Sequence, residues 1–314
     1  MFGRSNKTIR VEVFGKSDLG RSRDHNEDRF LVADLTRKAN SLQPDVRHHT
    51  IGPRGTLLVV ADGMGGAAAG EVASEMATGT IYDHLVKTWN AEQEITPQRF
   101  AYRLKEAVEA ANASIHAHAK AHPEVRGMGT TTTAAGILND HLYLTQVGDS
   151  RAYLIRGGEA HQITKDQSLM QRLVEAGELT EEEAAQSERR NIILQALGPD
   201  PKVKVDLTHQ EVRRGDVLVL CSDGLTGQVK KDEIAKVVTA TTDLTAACDK
   251  LIALANERGG RDNITAVLAR LDGEGLQSEV DGSAGYAVYR LTAAKSGATG
   301  YRALARALLG NRRK

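Results

Sequence analysis

The sequence predicts a layered α+β sandwich. Short branched apolar runs indicate strands, several of these runs are separated by two-residue turns, and two long amphipathic stretches follow one another along the chain. Strands that pair through hairpins and are interrupted by adjacent long helices favour a layered arrangement over an alternating parallel sheet.

The strand predictions start from two runs that are apolar throughout. Residues 57–61 (LLVVA) and 217–221 (VLVLC) are short and bounded by turn residues, so we expect strands that are buried on both faces. A late strand is expected at 263–271, where apolar residues alternate.

Two hairpins are predicted in the middle of the chain. Residues 130–138 and 142–147 are rich in β-forming residues and are separated by Asn139-Asp140, a pair that suits a tight turn. Residues 152–156 and 159–163 are arranged in the same way around Gly157-Gly158.

The clearest helix begins at Thr96, which can cap it, with Pro97 in its first turn. Its apolar stripe is Phe100, Leu104, Val108, Ala111 and Ile115, at spacings of 4, 4, 3 and 4. Further helices are expected from Gly70 toward Trp89 and from Leu244 to Glu257.

Composition excludes several classes of protein. The 314 residues include 41 basic and 41 acidic side chains, so there is no positive surplus for bulk binding of nucleic acid. With 40% hydrophobic and 26% charged residues, the chain is globular rather than disordered. No run approaches the length of a membrane span, the N-terminus lacks the apolar stretch of a signal peptide, and the two cysteines form no paired motif, so we expect a cytoplasmic protein.

The composition changes after residue 271, which we take as the end of the folded domain that begins at residue 9. Residues 272–314 are rich in Gly, Ala and Ser and carry 7 basic and 4 acidic side chains. Tyr301, Leu304 and Leu308 could form a short amphipathic helix that contacts a membrane surface or a partner, although a frayed tail explains the same pattern.

Acidic residues stand beside several of the predicted strands. Asp62 and Asp223 each follow one of the two apolar runs and precede a glycine; Asp149 and Asp262 adjoin other strands, and Glu27 lies in an Asn-Glu-Asp segment before another apolar run. An all-oxygen cluster without His or Cys suits Mg²⁺ or Mn²⁺ rather than zinc. Any single Asp-Gly is more often a hairpin turn than a metal ligand, so the metal hypothesis depends on the combination.

Six motifs occur in order along the chain. They are Arg23-x-x-Asn26-Glu27-Asp28, Asp62-Gly63-Met64-Gly65-Gly66 with Gly70-Glu71, Gly129-Thr130-Thr131, Gly148-Asp149-Ser150-Arg151, Ser222-Asp223-Gly224 and Arg261-Asp262-Asn263. Together they closely resemble the metal-dependent Ser/Thr protein phosphatases of the PPM family (type 2C), in its bacterial form, over residues 9–271. The resemblance implies a four-layer α/β/β/α sandwich with two central antiparallel sheets.

The resemblance also implies a metal site. Asp62 would bridge two ions, Mn²⁺ or Mg²⁺. Glu27 and the Gly63 carbonyl would complete the shell of one ion, and Asp223 and Asp262 that of the other.

Three further roles follow by position. Asp149, together with Asp223, would hold a third and weaker ion. Arg23 would clamp the substrate phosphate with its planar fork. Asp28 would orient ligands or metal-bound water from outside the coordination shell.

The implied reaction is hydrolysis of phosphoserine and phosphothreonine in proteins by a metal-bridged hydroxide, without a covalent phospho-enzyme. Cys221 is therefore read as a buried strand residue rather than a nucleophile. Phosphoproteins would be the substrates, and a Ser/Thr protein kinase the biological counterpart.

Two positions differ from many bacterial relatives, which have histidine where this chain has Ala67 and Gln167. A metal-bound water is then the expected proton donor. The charged segment 166–190 corresponds to the family's mobile flap, which we expect to help select substrates.

Two alternatives stay open at this point. The chain could be a non-catalytic PPM-like module that binds phosphoproteins, although such a module should have lost metal-binding acids. It could also hydrolyse small phosphate esters with the same site.

Overall fold

The computed structural model describes residues 8–66, 69–278 and 284–291. The strands are β1 Arg10–Asp18, β2 Asp28–Asp34, β3 Ala39–Asn40, β4 His48–Thr50, β5 Thr56–Met64, β6 Gly129–Thr130, β7 Thr132–Leu138, β8 His141–Val147, β9 Arg151–Arg156, β10 Glu159–Gln162, β11 Asp206–Glu211, β12 Val217–Cys221 and β13 Ile264–Asp272. The helices are α1 Pro44–Arg47, α2 Ala69–Thr88, α3 Pro97–Ala121, α4 Leu169–Glu175, α5 Glu181–Gln186, α6 Asp223–Thr226, α7 Lys231–Ala240 and α8 Leu244–Glu257, with a 3₁₀ turn at Pro123–Val125.

The strands form two antiparallel sheets. One has the order β10-β9-β12-β13-β1-β4, and the other has the order β11-β8-β7-β5-β2-β3, with β6 paired to β5. One apolar layer lies between the sheets, a second lies between the larger sheet and α2 with α3, and a third lies between the smaller sheet and α7 with α8. The predicted four-layer α/β/β/α sandwich is confirmed.

The two fully apolar runs are strands buried on both faces, as predicted. In β12, Leu218 and Leu220 enter the layer between the sheets, whereas Val219 and Cys221 face α7 and α8. Side chains of a strand alternate between its faces, so a run that is apolar at every position serves two cores at once.

The predicted helices are also confirmed. Thr96 caps α3 by accepting a hydrogen bond from the Arg99 N–H at 3.3 Å, and Pro97 opens the helix. Both predicted hairpins form, β7 with β8 and β9 with β10.

One local prediction differs from the structure. The sequence predicts Asp62 just after its strand, but β5 continues through Met64, because Gly63 and Met64 pair with β6. Nearby, His49 lies buried in β4, where its ring contacts the Val46 carbonyl and the Thr56 hydroxyl, each at 2.7 Å.

The packed structure continues beyond the expected boundary at residue 271. Strand β13 ends at Asp272, Leu276 is buried, and residues 284–291, which we call the clasp, lie against β11. A run rich in Gly, Ala and Ser can still pair with an edge strand, because its backbone supplies the hydrogen bonds. Tyr301, Leu304, Leu308 and Ala67 lie outside the described residues.

None of the helices found in residues 8–66, 69–278 and 284–291 combines the length and the apolar character needed to cross a bilayer.

Candidate active site

A pocket of about 500 Å³ opens at one end of the two sheets. Strands β5 and β12 end there, β2 and β13 begin there, and the β8–β9 turn reaches it. The pocket is lined by Ser22, Arg23, Asp24, His25, Glu27, Asp62, Gly63, Met64, Gly65, Gly66, Thr131, Asp149, Asn191, Ile193, Asp223 and Asp262. Antiparallel pairing thus gathers acids from five distant segments of the sequence.

All the residues predicted to bind metal line this pocket, and so does Arg23. Asp28 lies beneath it, opposite Asp62 in the β2–β5 register, with only 1% of its surface exposed. The Ser222 hydroxyl donates a 2.7 Å hydrogen bond to Asp28 Oδ2. Asp28 is therefore placed to act on the pocket through its neighbours rather than by direct contact.

Close backbone packing explains two of the glycines. A Cβ at Gly63 would lie 2.1 Å from the Gly70 carbonyl oxygen, and one at Gly70 would lie 2.7 Å from the Glu27 carboxyl group. The Gly63 N–H donates to the Glu27 carbonyl at 3.2 Å. Glycine at both positions lets β2, β5 and the start of α2 meet without a side chain between them.

Asn263 holds Glu27 in place. Its Oδ1 accepts a 2.8 Å hydrogen bond from the Glu27 N–H, while its Nδ2 donates to the carbonyls of Leu19 and His25. The loop that carries Arg23 and Glu27 is thereby tied to the start of β13. Asn263 belongs to the Arg-Asp-Asn motif, but its hydrogen bonds to a distant loop leave no local pattern in the sequence.

The threonines of the Gly-Thr-Thr motif hold the backbone of Asp62. The Thr131 N–H and the Thr130 hydroxyl donate to the Asp62 carbonyl at 2.8 and 2.9 Å, and the Asp62 N–H donates to the Thr131 hydroxyl at 3.1 Å. The peptide on each side of Asp62 is thus fixed, so the carboxyl group is presented on a rigid strand.

Burial and mutual repulsion change the ionisation of the acids. Burial, then the charge of Asp223, raises the pKa of Asp149 to about 8. Burial also raises the pKa of Asp28 to about 7. The pKa of Asp62 is raised well above its ordinary value by burial and then by four other aspartates, Asp28, Asp223, Asp149 and Asp262. Carboxylates that oppose each other's ionisation are typical of a site that takes a cation.

The donor set suits a hard divalent cation. The acids supply only oxygen, and two buried carboxyl oxygens, Glu27 Oε1 and Asp28 Oδ1, have no hydrogen-bond partner within the described part of the chain. No three His, Cys, Asp or Glu side chains in these same ranges stand together as a ready metal-binding group, so the carboxyl groups would have to draw closer around an ion.

Arg23 lies at the pocket with one guanidinium nitrogen 2.7 Å from Asp262 Oδ2. This hydrogen bond raises the pKa of Arg23 further, so the group is always charged. A guanidinium carries five N–H donors. The Arg23 side chain is half-exposed, so the N–H groups that do not bind Asp262 can face an anion in the pocket.

Gln167 braces the turn that presents Asp149. Its Oε1 accepts from the Gly148 N–H at 3.1 Å, and its own N–H donates to the Gly148 carbonyl at 2.8 Å. Its side-chain amide also donates to Asp206 Oδ2 at 3.1 Å. A glutamine in this position is a structural brace and has no acidic proton to give.

The flap consists of α4 and α5, and its contact with the pocket lies just past its predicted end at residue 190. Asn191 and Ile193 line the pocket, and Ile193 pairs with Ser168 through an isolated bridge. At the start of the flap, Asp166 accepts a forked pair of hydrogen bonds from Arg151. Ile193 could not be predicted as a pocket residue, because the apolar run Ile192-Ile193-Leu194 is too short to show a periodicity.

Cys221 is buried in β12, and burial raises its pKa to about 12. A thiol that stays protonated is a poor nucleophile. The prediction that Cys221 belongs to the core is confirmed.

Comparisons with known proteins identify the family of this chain. A family model described as Protein phosphatase 2C matches residues 36–269. The chain is 37% identical over 257 residues to the serine/threonine phosphatase stp of Listeria monocytogenes, which covers 82% of this chain and 94% of that protein. It is also 37% identical to the protein phosphatase PhpP of Streptococcus pneumoniae, over 78% of this chain and 97% of that one.

Solved structures show the same architecture. The Mycobacterium tuberculosis serine/threonine phosphatase PstP/Ppp matches with a TM-score of 0.70 and 36% identity, over 84% of this chain and 99% of that one. The catalytic domain of PstP in complex with two manganese ions matches with a TM-score of 0.68 and 35% identity, over 84% of this chain and all of that one. The chain therefore belongs to the protein phosphatase 2C family and is a metal-dependent protein serine/threonine phosphatase.

Proposed function

We propose that the pocket binds two divalent cations, Mn²⁺ or Mg²⁺, and that Asp62 is their shared ligand. Glu27 and the Gly63 carbonyl would hold one ion, and Asp223 and Asp262 the other. Asp149 with Asp223 would hold a third, weaker ion. The similar PstP catalytic domain was solved with two manganese ions, which supports two principal cation sites in this pocket.

The observation that carries the proposal is the mutual repulsion of buried acids in a single pocket. The pKa of Asp62 is raised by the charges of Asp28, Asp223, Asp149 and Asp262. Burying several like charges is unfavourable unless a cation compensates for them. A non-catalytic module would gain nothing from keeping these acids together.

The protein's own groups would then position the substrate. When bound, the cations supply positive charge for the phosphoryl oxygens and acidify water. Arg23 would hold the phosphate of a phosphoserine or phosphothreonine in its fork, in line with the pocket acids. Asp28, held by Ser222, would keep the carboxyl groups above it oriented. Gln167 offers no acidic proton, so it would not protonate the leaving hydroxyl.

Phosphoproteins are the proposed substrates, with a Ser/Thr protein kinase as the biological counterpart. We place the catalytic domain at residues 9–271, extended by the clasp. Both cysteines are free and buried, which is compatible with the cytoplasm as the site of action.

Calorimetric titration with Mn²⁺ tests the metal assignment directly. We expect wild-type protein to bind at least two ions, because two sets of oxygen ligands share Asp62. Asp223→Asn should lose strong binding at one of these sites, and Asp149→Asn only the weakest event, since it belongs to the third site alone. Asp232→Asn, an exposed acid on α7 away from the pocket, is the matched control. Unchanged titration of Asp223→Asn would contradict the assignment.

Arg23→Lys should lower kcat/KM for a phosphothreonine peptide by about tenfold to a hundredfold, the worth of a charge-assisted hydrogen bond. Lysine keeps the charge but loses the planar fork. Stability should hardly change, because Arg23 and Asp262 form a partly exposed ion pair.

Steady-state kinetics of Arg23→Lys and Arg21→Lys make this comparison. Arg21 is two positions away but does not line the pocket, so its variant should behave as wild type. Equal losses in the two variants would show that general positive charge, and not the fork of Arg23, is what the substrate needs.

A further inference from the structure

The clasp is paired to the larger sheet by its backbone. The Tyr289 N–H donates to the Leu207 carbonyl, and the His209 N–H donates to the Ala287 carbonyl, both at 2.9 Å. The clasp therefore covers the outer edge of β11 through an isolated antiparallel bridge between Thr208 and Val288.

Tyr289 anchors the clasp to the body of the domain. Its ring packs edge-on against Tyr143 and His209, with centroids 5.3 and 5.0 Å apart, and its hydroxyl donates to Gln98 Oε1 at 3.2 Å. Tyr289 also packs against the apolar layer beneath α2 and α3. The position of the clasp is thus set by the core.

Tyr286 of the clasp reaches the flap through one lysine. The Lys165 ammonium lies 4.9 Å from the centroid of the Tyr286 ring and 2.9 Å from Glu175 Oε1 at the end of α4. A cation held between a ring face and a carboxylate connects the two segments that carry them. The first helix of the flap is thereby linked to the C-terminal part of the chain.

The same short stretch of the flap is fixed to the active site from its other side. Asp166, next to Lys165, accepts hydrogen bonds from Arg151, and Gln167 braces Gly148 beside Asp149. The base of the flap is thus joined to the pocket side through Asp166 and Gln167 and to the clasp through Lys165. Helix α4 itself is held at both ends: its Leu169 N–H donates to the Ile192 carbonyl at 2.9 Å, and its Glu175 is linked to the clasp through Lys165.

We infer that the clasp positions the flap, with Tyr286 as the positioning residue that sets how α4 presents itself to a phosphoprotein. A small phosphate ester would occupy only the pocket, whereas a protein substrate must also pass over the flap, which reaches the pocket through Asn191 and Ile193. Tyr286 should therefore affect the binding of macromolecular substrates and leave small ones unaffected. This inference rests on the phosphatase activity of the pocket.

Full-length Tyr286→Ala, Tyr286→Phe and Val288→Ala test the inference. Phenylalanine keeps the ring face, and Val288 is the most exposed large apolar side chain of the clasp, so both variants serve as controls. In Tyr286→Ala, amide hydrogen exchange in α4 should be about two- to fivefold faster, as expected from the loss of one exposed cation–π contact. The KM for a phosphothreonine protein should rise by a similar factor, about two- to fivefold, while kcat/KM for p-nitrophenyl phosphate stays unchanged.

Unchanged exchange in α4 of Tyr286→Ala would overturn the inference, and so would an unchanged KM for the phosphoprotein. Faster exchange throughout the domain, or equal losses with both substrates, would show a merely structural role and also overturn it. Tyr286→Phe must match wild type. Because hydrogen exchange does not depend on turnover, a failure of the proposed metal and phosphate roles would be recognised separately.

Discussion

Replacing Asp62 by Asn is expected to lower phosphatase activity by about a thousandfold or more, roughly 4 kcal/mol of transition-state stabilisation. The amide keeps the shape of the side chain and the backbone hydrogen bonds of Asp62 with Thr130 and Thr131. It removes the charge that both proposed ions would share. No other pocket acid is proposed to contact both principal ions, so no other substitution should cost more.

The same substitution should make the protein more stable when divalent cations are removed by a chelator. Asp62 is buried among acids that oppose its ionisation, and a neutral amide relieves that repulsion. Kinetics with a phosphothreonine peptide, together with chemical unfolding in EDTA, measure both effects. Activity close to wild type would refute the role of Asp62, and an inactive but destabilised variant would point to damage of the fold. Asp24→Asn, at the exposed rim of the pocket, is the control for charge alone.

The stability of the cation-free protein should fall as the pH rises from about 5 to about 8. Burial raises the pKa of Asp28 from 3.8 to about 7, so the folded state binds more protons than the unfolded state between these values. An acid whose pKa is raised on folding stabilises the fold when protonated and loses that contribution as the pH rises through its folded pKa. Asp28 alone would account for about 3 kcal/mol between pH 5 and pH 8, at about 1.36 kcal/mol per pKa unit.

Urea unfolding in EDTA at both pH values measures this loss. Asp28→Asn should show a smaller fall in the free energy of unfolding, because an amide does not titrate. Adding Mn²⁺ should restore more stability at the higher pH, where the ligands are ionised. A wild-type protein that becomes more stable over this range, or a variant with the same pH dependence, would disagree with the buried environment of Asp28.

The parts of the fold that could be predicted are those with strong local patterns. Residues 217–221 predict a doubly buried strand because every position is apolar, and Thr96-Pro97 marks the start of α3 by cap chemistry. The clasp could not be predicted in this way. Six of its eight residues are apolar, but they show no clear alternation, and its pairing partner is β11, which lies far back along the chain.

The candidate site divides in a similar way. Asp62 and Asp223 follow apolar runs, so their place at a sheet end could be expected, but an isolated Asp-Gly pair is also a turn signal. Only the occurrence of six motifs in the family's order distinguishes a metal ligand from a hairpin turn at these positions. The supporting roles of Asn263, Thr131 and Gln167 could not be predicted from the sequence. Each acts through hydrogen bonds to a segment that becomes its neighbour only in the folded chain.

The pairing of Asp28 with Asp62 across β2 and β5 has a consequence for folding fidelity. Side chains alternate between the faces of a strand, so a slip of one residue would turn Asp62 away from the pocket and bring a neighbour in its place. Such a molecule could keep most of its sheet and still be unable to gather its acids. Cation binding at the proposed site would then stabilise only the molecules whose β2 and β5 are paired in the correct register, and it would shift the population away from misaligned ones.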